Sequence, residues 1–434
     1  MANNICFTTL EFDQPWILEN YEKVGGYQAL RQIVEEKLTP QQIIDIVIES
    51  GLRGRGGAGF PTGRKWSFID QNDGKIHYLV CNSDESEPGT CKDRDILRFN
   101  PHAVVEGMII AGYAIGAKVG YNYLRGEFHH EPLHRFEDAI KEAQEKGYLG
   151  DNILGSDISF TIHAHIGAGA YVCGEESALL ESLEGKQGRP RFKPPFPAQK
   201  GLFGCPTIIN NTESLGSVPA IIRNGPKWFE DLGVNGNPGE KIFSVSGHVE
   251  KPGNFEIPLG TEFSKLLEMA GGVTQGKKLK AVIPGGSSTA VLPAAKLDGM
   301  KMDYESIAEC GSALGSGAMI VVDDSTCMVK LLRRIVRFYF AESCGQCTPC
   351  REGVGWMYRI LGRILESDAT SKDIDLLESV ATNIKGRTVC AFGEAAATPV
   401  LSFLTHFRDE FEAKVQSDEE LKQISEDAGK RAEA

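Results

Sequence analysis

Four cysteines near the end of the chain have the type and spacing of cluster ligands. Cys344, Cys347 and Cys350 are separated by two residues each, and Cys390 lies 40 residues after Cys350. A cubane cluster needs four thiolates, and a C-x2-C-x2-C loop with one remote cysteine supplies them. Zinc also accepts four thiolates, but usually from two separate C-x2-C pairs. The pattern therefore favours a [4Fe–4S] cluster, with a structural zinc site as the alternative.

A glycine-rich loop, GRGGAG at residues 54–59, literally matches G-x-G-x-x-G. It follows a predicted helix rather than a strand, so the usual context of the dinucleotide fingerprint is missing. Backbone that carries no side chains still lets amide groups approach a phosphate closely. Counter-charge is available from Arg53, Arg55, Arg64 and Lys65. Phe60, Trp66 and Phe68 could stack on a purine or belong to the core, and a flexible basic loop is the alternative for the segment.

Three carboxylates follow a predicted buried strand at residues 76–81. They are Asp84, Glu85 and Glu87, and Asn82 precedes them. The carboxyl ends of strands are where α/β folds bind ligands. Because carboxylates repel phosphates, these side chains are expected to face ribose hydroxyls or a flavin. The alternative is a solvated acidic turn.

A third segment, GAGAYVCGEE at residues 167–176, joins a predicted strand at 158–166 to a predicted helix. Glu175 and Glu176 fall in the first turn of that helix, where carboxylates complement the helix dipole whatever their function. The missing side chains before them leave room for a flat ligand packed against the backbone.

The surrounding elements predict an α/β fold with a helical C-terminal part. A Thr-Pro-Gln-Gln start predicts a helix from Thr39 to Ser50. Alternating apolar residues on both sides of a Pro-Gly turn predict a hairpin at 243–258 and a small β-grasp-like domain at 241–325. A 3.6-residue periodicity predicts helices after residue 325. The last residues, 416–434, are polar and are expected to fray.

Composition excludes several classes of function. The net charge is −13, which argues against a nucleic-acid binder because phosphate contacts require clustered basic residues. No apolar run approaches the ~20 residues that span a bilayer, and the N-terminal residues resemble no secretory or organelle signal. The odd total of 11 cysteines argues against a disulfide framework. These features predict a bacterial cytoplasmic protein without direct membrane insertion.

Six segments together resemble one family. They are RGRGGAGFPTGRKW (53–66), CNSDESEPGT (81–90), GAGAYVCGEESALLESLEGK (167–186), RPRFKPPFPA (189–198), PTIINNTE (206–213) and ESCGQCTPCREG (342–353). Over nearly its whole length the chain is similar to the NADH-binding flavoprotein subunit of bacterial complex I, the NADH:quinone oxidoreductase. The resemblance implies a Rossmann-like FMN- and NADH-binding domain at 1–240. A β-grasp soluble-ligand-binding domain at 241–325 and a helical bundle with a [4Fe–4S] cluster at 326–434 are expected to follow.

The resemblance also implies the site residues. The FMN- and NADH-binding set is Gly54, Arg55, Gly56, Gly57, Gly59, Phe60, Lys65, Phe68, Asn82, Asp84, Glu85, Glu87, Tyr171, Gly174, Glu175, Glu176, Phe196, Asn210, Asn211 and Thr212. In it, Phe60, Phe68 and Phe196 surround the adenine and Lys65 holds the ribose–phosphate region. Glu87 and Glu176 lie near the nicotinamide. No side chain need act as acid or base, because the flavin itself accepts the hydride. Ser83 and Cys91 differ from the residues common in relatives, which puts only local packing in doubt.

The implied function is electron input: NADH reduces FMN, and the cluster passes electrons singly to partner subunits. The expected partners are the thioredoxin-like [2Fe–2S] subunit and the large iron–sulfur subunit of complex I, on the cytoplasmic face of the inner membrane. A diaphorase subunit of an NAD-linked hydrogenase or formate dehydrogenase is one alternative, and a zinc-stabilised scaffold is another. A further hypothesis is that Glu87 weakens product binding by repulsion and disfavours the extra phosphate of NADPH.

Overall fold

A computed structural model describes residues 5–71, 73–234 and 236–415. The predicted polar tail, 416–434, lies outside the described residues. Within the described ranges, no helix is long and apolar enough to cross a membrane.

The first sheet is parallel and has four strands in the order β3-β2-β1-β4. Its strands are β1 (Tyr78–Ser83), β2 (Val119–Leu124), β3 (Thr161–Ile166) and β4 (Thr207–Asn211). The chain moves outward from β1 to β2 and β3 and then returns to place β4 on the other side of β1. The strand order therefore reverses between β1 and β4, and in open α/β sheets ligands bind in the crevice at such a reversal.

Two strand predictions were right in place and wrong at their ends. β1 begins at Tyr78 rather than Ile76, whose side chain is 62% exposed. β3 begins at Thr161, because Phe160 forms only an isolated bridge with Gly150.

The helices of this first region cover both faces of the sheet. They are α1 (Leu18–Lys23), α2 (Gln28–Glu35), α3 (Pro40–Glu49), α4 (Thr62–Trp66), α5 (Lys92–Phe99), α6 (Pro101–Ala114), α7 (Glu131–Glu145), α8 (Glu176–Leu183), α9 (Pro197–Lys200), α10 (Thr212–Asn224) and α11 (Pro226–Leu232). Most of them fill the largest core cluster on one face, and α8 packs in a smaller cluster on the other. The predicted capping box at Thr39 is confirmed. Helices α6 and α10 cross closely at Gly107, where a Cβ would lie 2.0 Å from the carbonyl oxygen of Leu215.

The second sheet is mixed, with five strands in the order β6-β5-β9-β7-β8. Its elements are β5 (Glu240–Gly247), β6 (Gly253–Pro258), α12 (Phe263–Met269), β7 (Leu279–Ile283), β8 (Leu292–Pro293), α13 (Tyr304–Glu309) and β9 (Ala318–Asp323). The predicted hairpin is confirmed as the antiparallel pair β5–β6. The parallel pair β5–β9 in the middle gives the sheet a β-grasp-like arrangement.

Four helices complete the described chain and share their own apolar core. They are α14 (Met328–Glu342), α15 (Thr348–Leu365), α16 (Ser371–Ile384) and α17 (Phe392–Glu412). The α/β fold with a C-terminal helical part is thus as predicted. The loop between α14 and α15 carries Cys344 and Cys347, Cys350 lies in the first turn of α15, and Cys390 lies just before α17.

Candidate functional site

Two joined cavities open at the carboxyl ends of β1 and β4. We name the first, of about 490 Å³, the junction cavity, and the second, of about 860 Å³, the aromatic cavity. The residues that line both are Gly56, Ala58, Asn82, Gly174 and Asn211. The site therefore lies where the strand order reverses, as the acidic and glycine-rich segments of the sequence predicted.

All three structural regions line the junction cavity. The first contributes the glycine loop and the residues after β1, and the second contributes Gly285 and Ser288. The helical bundle contributes Cys390 and Phe392. A predicted cluster ligand therefore forms part of the wall of the same cavity as Asp84 and Glu87.

Asp84 offers this cavity an unpaired acceptor. Its Oδ1 accepts a hydrogen bond of 2.6 Å from the Ser86 hydroxyl, whereas its buried Oδ2 has no hydrogen-bond partner in the described part of the chain. Burial raises the pKa of Asp84 to about 7. A buried acceptor without a partner indicates that a bound group supplies the donor, as the N–H of a flavin ring does.

The glycine loop leaves bare backbone beside the cavity. Gly57 has a φ of +130°, and a Cβ there would meet nothing nearer than the backbone of Gly315 at 3.8 Å. On the other side of the loop, a Cβ at Gly56 would lie 3.0 Å from Asn211. The loop thus packs closely on β4 while its open side faces the cavity, and together with the free oxygen of Asp84 this fits FMN.

Glu87 is held by groups from two other parts of the fold. Its carboxylate accepts hydrogen bonds from the Tyr171 hydroxyl at 2.6 Å and from the backbone N–H of Ser288 at 2.7 Å. Burial raises the pKa of Glu87 even though these bonds oppose the rise. The Tyr171 ring in turn packs edge-on against Tyr339 and Phe392 of the bundle. Glu87 and Tyr171 therefore join the cavity to both neighbouring regions.

Exposed aromatic rings line the aromatic cavity. Phe60, Phe68 and Phe196 are 44%, 53% and 54% exposed, and the centroids of the first two rings are 5.9 Å apart. Rings left uncovered inside a cavity can stack on a purine. Trp66 belongs instead to the core, where its indole N–H donates to Asn210 at 2.8 Å. It fixes the orientation of Asn210, which lines the aromatic cavity.

Two lysines face a glutamate pair at the edge of the aromatic cavity. Lys65 donates to Glu176 at 3.2 Å, and Lys193 donates to Glu175 at 2.9 Å and to Glu176 at 2.7 Å. Burial opposes ionisation of Glu176, but both lysines outweigh it and lower the pKa of that carboxyl. Glu175 also caps α8 by accepting from the backbone N–H groups of Ser177 and Ala178. Sequence reasoning missed Lys193, although it stands in the proline-rich segment 189–198.

Asn82 and Asn211 are held by other residues that line the junction cavity. The Asn82 amide donates to the Gly174 carbonyl at 2.9 Å. The Asn211 amide donates to Asp93 at 2.7 Å, and its oxygen accepts from Lys92 at 3.2 Å. Both asparagines can therefore present backbone or side-chain groups to a ligand without rearranging.

Some predicted counter-charges point elsewhere, and that expectation is wrong for Arg53 and Arg55. The Arg53 guanidinium donates to Glu305 at 2.6 Å and lies over the Tyr304 ring. The Arg55 guanidinium is buried and donates to the Glu240 carbonyl at 2.9 Å. Neither side chain lines a cavity, because each bonds to the second region instead.

Two further predicted contacts have other partners in the fold. The Glu85 carboxylate borders the junction cavity, but its oxygens accept from the backbone N–H groups of Asp93 and Arg94 at the start of α5. The Thr212 hydroxyl is buried, 2.7 Å from the Ser83 hydroxyl. The expectation that Glu85 faces ribose hydroxyls or a flavin stays a prediction, since Glu85 lines the junction cavity and its carboxylate also caps α5. Gly54 and Gly59 line the aromatic cavity as predicted for the loop.

Cys344, Cys347, Cys350 and Cys390, the four predicted cluster ligands, form no disulfide within the described residues. Cys344 and Cys347 lie close enough to raise the pKa values of Cys350 and Cys390 electrostatically, although burial is the main cause. Across residues 5–71, 73–234 and 236–415, no three His, Cys, Asp or Glu side chains are grouped to hold a single metal ion. A four-iron cluster places iron and sulfide between its thiolates, and this donor set of four cysteines around the α14–α15 loop fits it.

Three family models match the chain in the order of the three regions. The Nuo51 FMN-binding domain matches residues 47–220, the SLBB domain matches 242–292, and the NADH-ubiquinone oxidoreductase-F iron-sulfur binding region matches 330–414.

Curated relatives match over almost the full length, and they are F subunits of NADH-quinone oxidoreductases. The second such F subunit of Rhizobium meliloti is 51% identical over 96% of this chain and 98% of its own. The F subunit of Streptomyces coelicolor is 49% identical over 93% of this chain and 89% of its own.

Solved structures of an NAD+-reducing [NiFe]-hydrogenase share the fold. In the H2-reduced state the match has a TM-score of 0.80 at 38% identity, and it covers 87% of this chain and 63% of the hydrogenase chain. In the air-oxidised state the TM-score is 0.82 at 36% identity, with coverage of 92% and 66%. The chain thus spans about two thirds of those hydrogenase chains.

Proposed function

The chain belongs to the family of NADH-quinone oxidoreductase F subunits, and on that premise we propose how its two cavities and four cysteines divide the work. The family's activity is NADH dehydrogenation, with FMN and a [4Fe–4S] cluster as cofactors and NADH as substrate. The zinc-scaffold alternative is thereby rejected. The borders at residues 240 and 325 between the three regions remain our proposal.

One observation carries the assignment of the cavities: Cys390 lines the same cavity as Asp84 and Glu87. A flavin in the junction cavity is then a direct neighbour of a cluster ligand. The aromatic cavity opens from the same floor and offers the three phenylalanines to an adenine. FMN therefore belongs in the junction cavity, with the adenosine half of NADH in the aromatic cavity.

When bound, FMN accepts a hydride from NADH and releases the two electrons one at a time, which a one-electron cluster requires. The chain's own residues bind and orient. Asp84 accepts from the flavin ring through its free Oδ2, while Asn82 and Asn211 fix the backbone around it. The three phenylalanines and Lys65 hold the adenine and the adjoining phosphates. Positioning of this kind can supply a large part of a rate enhancement without acid–base chemistry.

Glu87 shapes the cavity as a bonded carboxylate. Because the Tyr171 hydroxyl and the Ser288 N–H hold it, it cannot swing away from a bound ring. We place it near the nicotinamide end, where a negative charge opposes retention of the product.

The finer assembly is also proposed. The partners are the thioredoxin-like [2Fe–2S] subunit and the large iron–sulfur subunit, which attach the chain to the cytoplasmic face of the inner membrane. A diaphorase role in an NAD-linked hydrogenase is the second candidate, supported by the hydrogenase matches at 36% and 38% identity. The F-subunit relatives are more similar and match end to end. The proteins that co-purify with the chain distinguish the two.

The test of the function is cofactor content together with turnover. Purified protein should contain one FMN and four irons per chain, and it should oxidise NADH with ferricyanide as acceptor. A protein that holds zinc without flavin, or that leaves NADH unchanged when loaded with FMN, would contradict the proposal.

A further inference from the structure

One face of α14 carries a row of basic side chains. Lys330, Arg333, Arg334 and Arg337 recur at intervals of three and four residues, which places them on one side of the helix. The other side buries Leu332, Ile335, Val336 and Tyr339 in the bundle core. Between residues 328 and 365 there are seven Lys and Arg against two Glu. This local excess opposes the net charge of −13 for the whole chain.

Within the described ranges, the cations of this row have no carboxylate partners. The ion pairs of α14 and α15 there involve only Arg351 and Arg363. Arg359 donates only to the Gly355 carbonyl, and the Nε of Arg333 is buried without a partner. The basic side chains on this face are therefore not neutralised by acidic neighbours, although the chain as a whole has more acidic than basic residues.

Aromatic rings stand among the cations. Phe340 stacks on Tyr358 at 5.7 Å, and the Arg333 guanidinium lies 4.9 Å from the Tyr358 ring centroid. Phe340 is 44% exposed, and Trp356 on α15 is 52% exposed. A Cβ at Gly355 would lie 2.8 Å from Phe340 and 3.2 Å from Arg359, so both side chains lie over this glycine. Arginine and exposed aromatic rings are the residues enriched at the centres of protein interfaces.

The row ends at the cysteine loop. Helix α14 finishes at Glu342, two residues before Cys344, and α15 begins at Thr348. A protein seated on the two helices would therefore lie against the outer side of the cluster. Both helices bury most of their apolar side chains in the bundle, and the exposed rings of Phe340 and Trp356 stand singly among cations.

We propose that this basic–aromatic row, formed by Lys330, Arg333, Arg334, Arg337, Phe340, Trp356 and Arg359, is the docking surface for the protein that takes electrons from the cluster. The inference rests on the proposed function, which requires such an acceptor. Charge complementarity specifies an acidic face on that partner, with a pocket for an aromatic ring. Such surfaces speed and orient association, and their strength falls as salt rises.

The experiment replaces Arg334 and Arg337 together by Glu in the complete respiratory complex. The matched control replaces Lys141 and Lys146 together by Glu. Lys141 lies in α7 and Lys146 directly follows that helix; both are exposed, and neither forms an ion pair in the described part of the chain. Retention of the chain in the complex is followed by gel filtration at increasing salt. NADH oxidation with ferricyanide reports on the flavin site and on folding, and quinone reduction reports on electron transfer through the complex.

We expect the Arg334→Glu/Arg337→Glu chain to keep ferricyanide activity within about twofold of wild type while its binding in the complex weakens at least tenfold. Quinone reduction should fall with it, and Arg334→Lys/Arg337→Lys should behave as wild type. Two results would overturn the proposal. One is that Arg334→Glu/Arg337→Glu leaves retention in the complex and its salt dependence unchanged, and the other is that charge reversal at Lys141 and Lys146 weakens retention equally. A third result would also overturn it: wild-type chain binds anionic phospholipid vesicles, and the Arg334→Glu/Arg337→Glu chain loses that binding while its retention in the complex is unchanged. Failure of wild-type protein to oxidise NADH would overturn the proposed function instead. Retention of the variants in the complex would still show whether the basic–aromatic row is a docking surface.

Discussion

At the scale of single residues, Glu176 and Glu87 have different surroundings. Glu176 lines the aromatic cavity, where Lys65 and Lys193 pair with it, whereas Glu87 lines the junction cavity and bonds to Tyr171. The extra phosphate of NADPH is on the adenosine ribose, so it belongs beside the aromatic cavity. With the adenosine in the aromatic cavity, Glu176 lies near the adenosine and not near the nicotinamide as the resemblance implied. We therefore assign discrimination against NADPH to Glu176 rather than to Glu87.

Glu176→Gln should improve the use of NADPH relative to NADH. The change removes a charge that repels the extra phosphate. It also frees Lys65 to bind that phosphate, while Lys193 keeps its pair with Glu175. We expect the ratio of kcat/KM for NADPH to that for NADH to rise by about tenfold, equivalent to ~1.4 kcal/mol. Steady-state ferricyanide assays measure both values.

Glu87→Gln is the matched control for this prediction. It removes the same charge from the junction cavity. Its amide oxygen can keep the bond from the Ser288 N–H, and its amide NH2 can donate to the oxygen of the Tyr171 hydroxyl, because the two partners bond to different oxygens of Glu87. Because the repulsion of the product is lost, we expect NAD+ to bind more tightly and to inhibit more strongly, with no change in the preference for NADH over NADPH. A rise in NADPH use with Glu87→Gln but not with Glu176→Gln would reverse the assignment.

Candidate site residues could be predicted from the sequence where residue type and spacing alone indicate the chemistry. The phenylalanines beside the glycine loop and the acids after β1 were found this way. The direction of a long side chain could not be predicted, because Arg55 is oriented by the Glu240 carbonyl, 185 residues away in sequence. Lys193 and Ser288 were missed for the same reason, since only the fold brings them to Glu176 and Glu87.

At the scale of elements, the start of α17 closes the cluster site. Cys390 precedes that helix by two residues and also lines the junction cavity. The other three predicted ligands come from the α14–α15 loop and the first turn of α15. With this proposed ligand set, the cluster would tie α14, α15 and α17 together at the end of the bundle nearest the junction cavity.

Cys390→Ala should abolish the four-iron cluster and leave the flavin bound. The remaining three thiolates leave one iron of the cubane without its cysteine ligand, and we expect that iron to be lost. Iron content and electron paramagnetic resonance after reduction measure the loss, and FMN content shows that the cavity is intact. Cys173→Ala is the control, because Cys173 is a buried thiol near Cys344 outside the predicted ligand set. A full cubane in Cys390→Ala would remove Cys390 from the site.

Local signals predicted helices well and their long-range caps poorly. The capping box of Thr39 lies within four residues of sequence, so the pattern contains it. The N-terminus of α5 is instead capped by Glu85, which reaches it from the loop after β1. In the sequence, nothing distinguished Glu85, whose carboxylate caps α5, from its neighbours Asp84 and Glu87.

At the scale of the whole molecule, a buried ion network joins the first sheet region to the second. Glu213 pairs with Lys92 at 2.9 Å and with Lys241 of β5 at 3.2 Å. Against the cost of burial, Lys241, Lys92 and Arg55 lower the pKa of Glu213 to about 2. Burial lowers the pKa of Lys241 to about 8 although Glu213 opposes this. Without the Glu213 carboxylate, the buried ammonium groups of Lys92 and Lys241 would lose a shared ion-pair partner.

Glu213→Gln should therefore destabilise the chain strongly. Breaking a buried ion pair from one side costs about 3–5 kcal/mol, which corresponds to a fall in the thermal midpoint on the order of 10 °C. Calorimetry or circular dichroism measures this shift. Glu230→Gln, in an exposed pair with Lys227, is the control and should leave the midpoint nearly unchanged. Equal effects of the two substitutions would show that the network adds no stability.

A second buried carboxyl should make stability depend on pH. Glu256 of β6 accepts from the backbone N–H groups of Cys6 and Phe7, and burial together with the charges of Glu240 and Glu213 raises its pKa to about 8. The folded chain then keeps a proton that the unfolded chain loses above its ordinary pKa of about 4.3. The contribution of Glu256 to stability is therefore full below that pH and is lost as the pH rises to about 8.

The predicted loss is up to ~1.4 kcal/mol per pH unit within that window. Thermal unfolding across the range from about pH 5 to about pH 9 should show wild-type stability falling relative to Glu256→Gln and levelling off above the folded pKa. Parallel curves for the two proteins across this range would contradict the raised pKa.

The order of the three regions could be predicted from the sequence, because each region has its own periodicity and motif. The basic row on α14 and α15 was hidden by the net charge, which averages over all 434 residues. The sequence pattern also could not predict that the three regions line one cavity. That arrangement depends on contacts such as Tyr171 with Glu87, made between residues 84 positions apart.

The most direct test of the account is an anaerobic titration of the loaded chain with NADH. FMN takes two electrons and the cluster takes one, so complete reduction should require about 1.5 molecules of NADH per chain. Flavin bleaching and the cluster's paramagnetic signal should both appear in wild type, and only the flavin should respond in Cys390→Ala. An endpoint at one NADH with the cluster still oxidised in wild type would contradict electron transfer from the flavin in the junction cavity to the cluster.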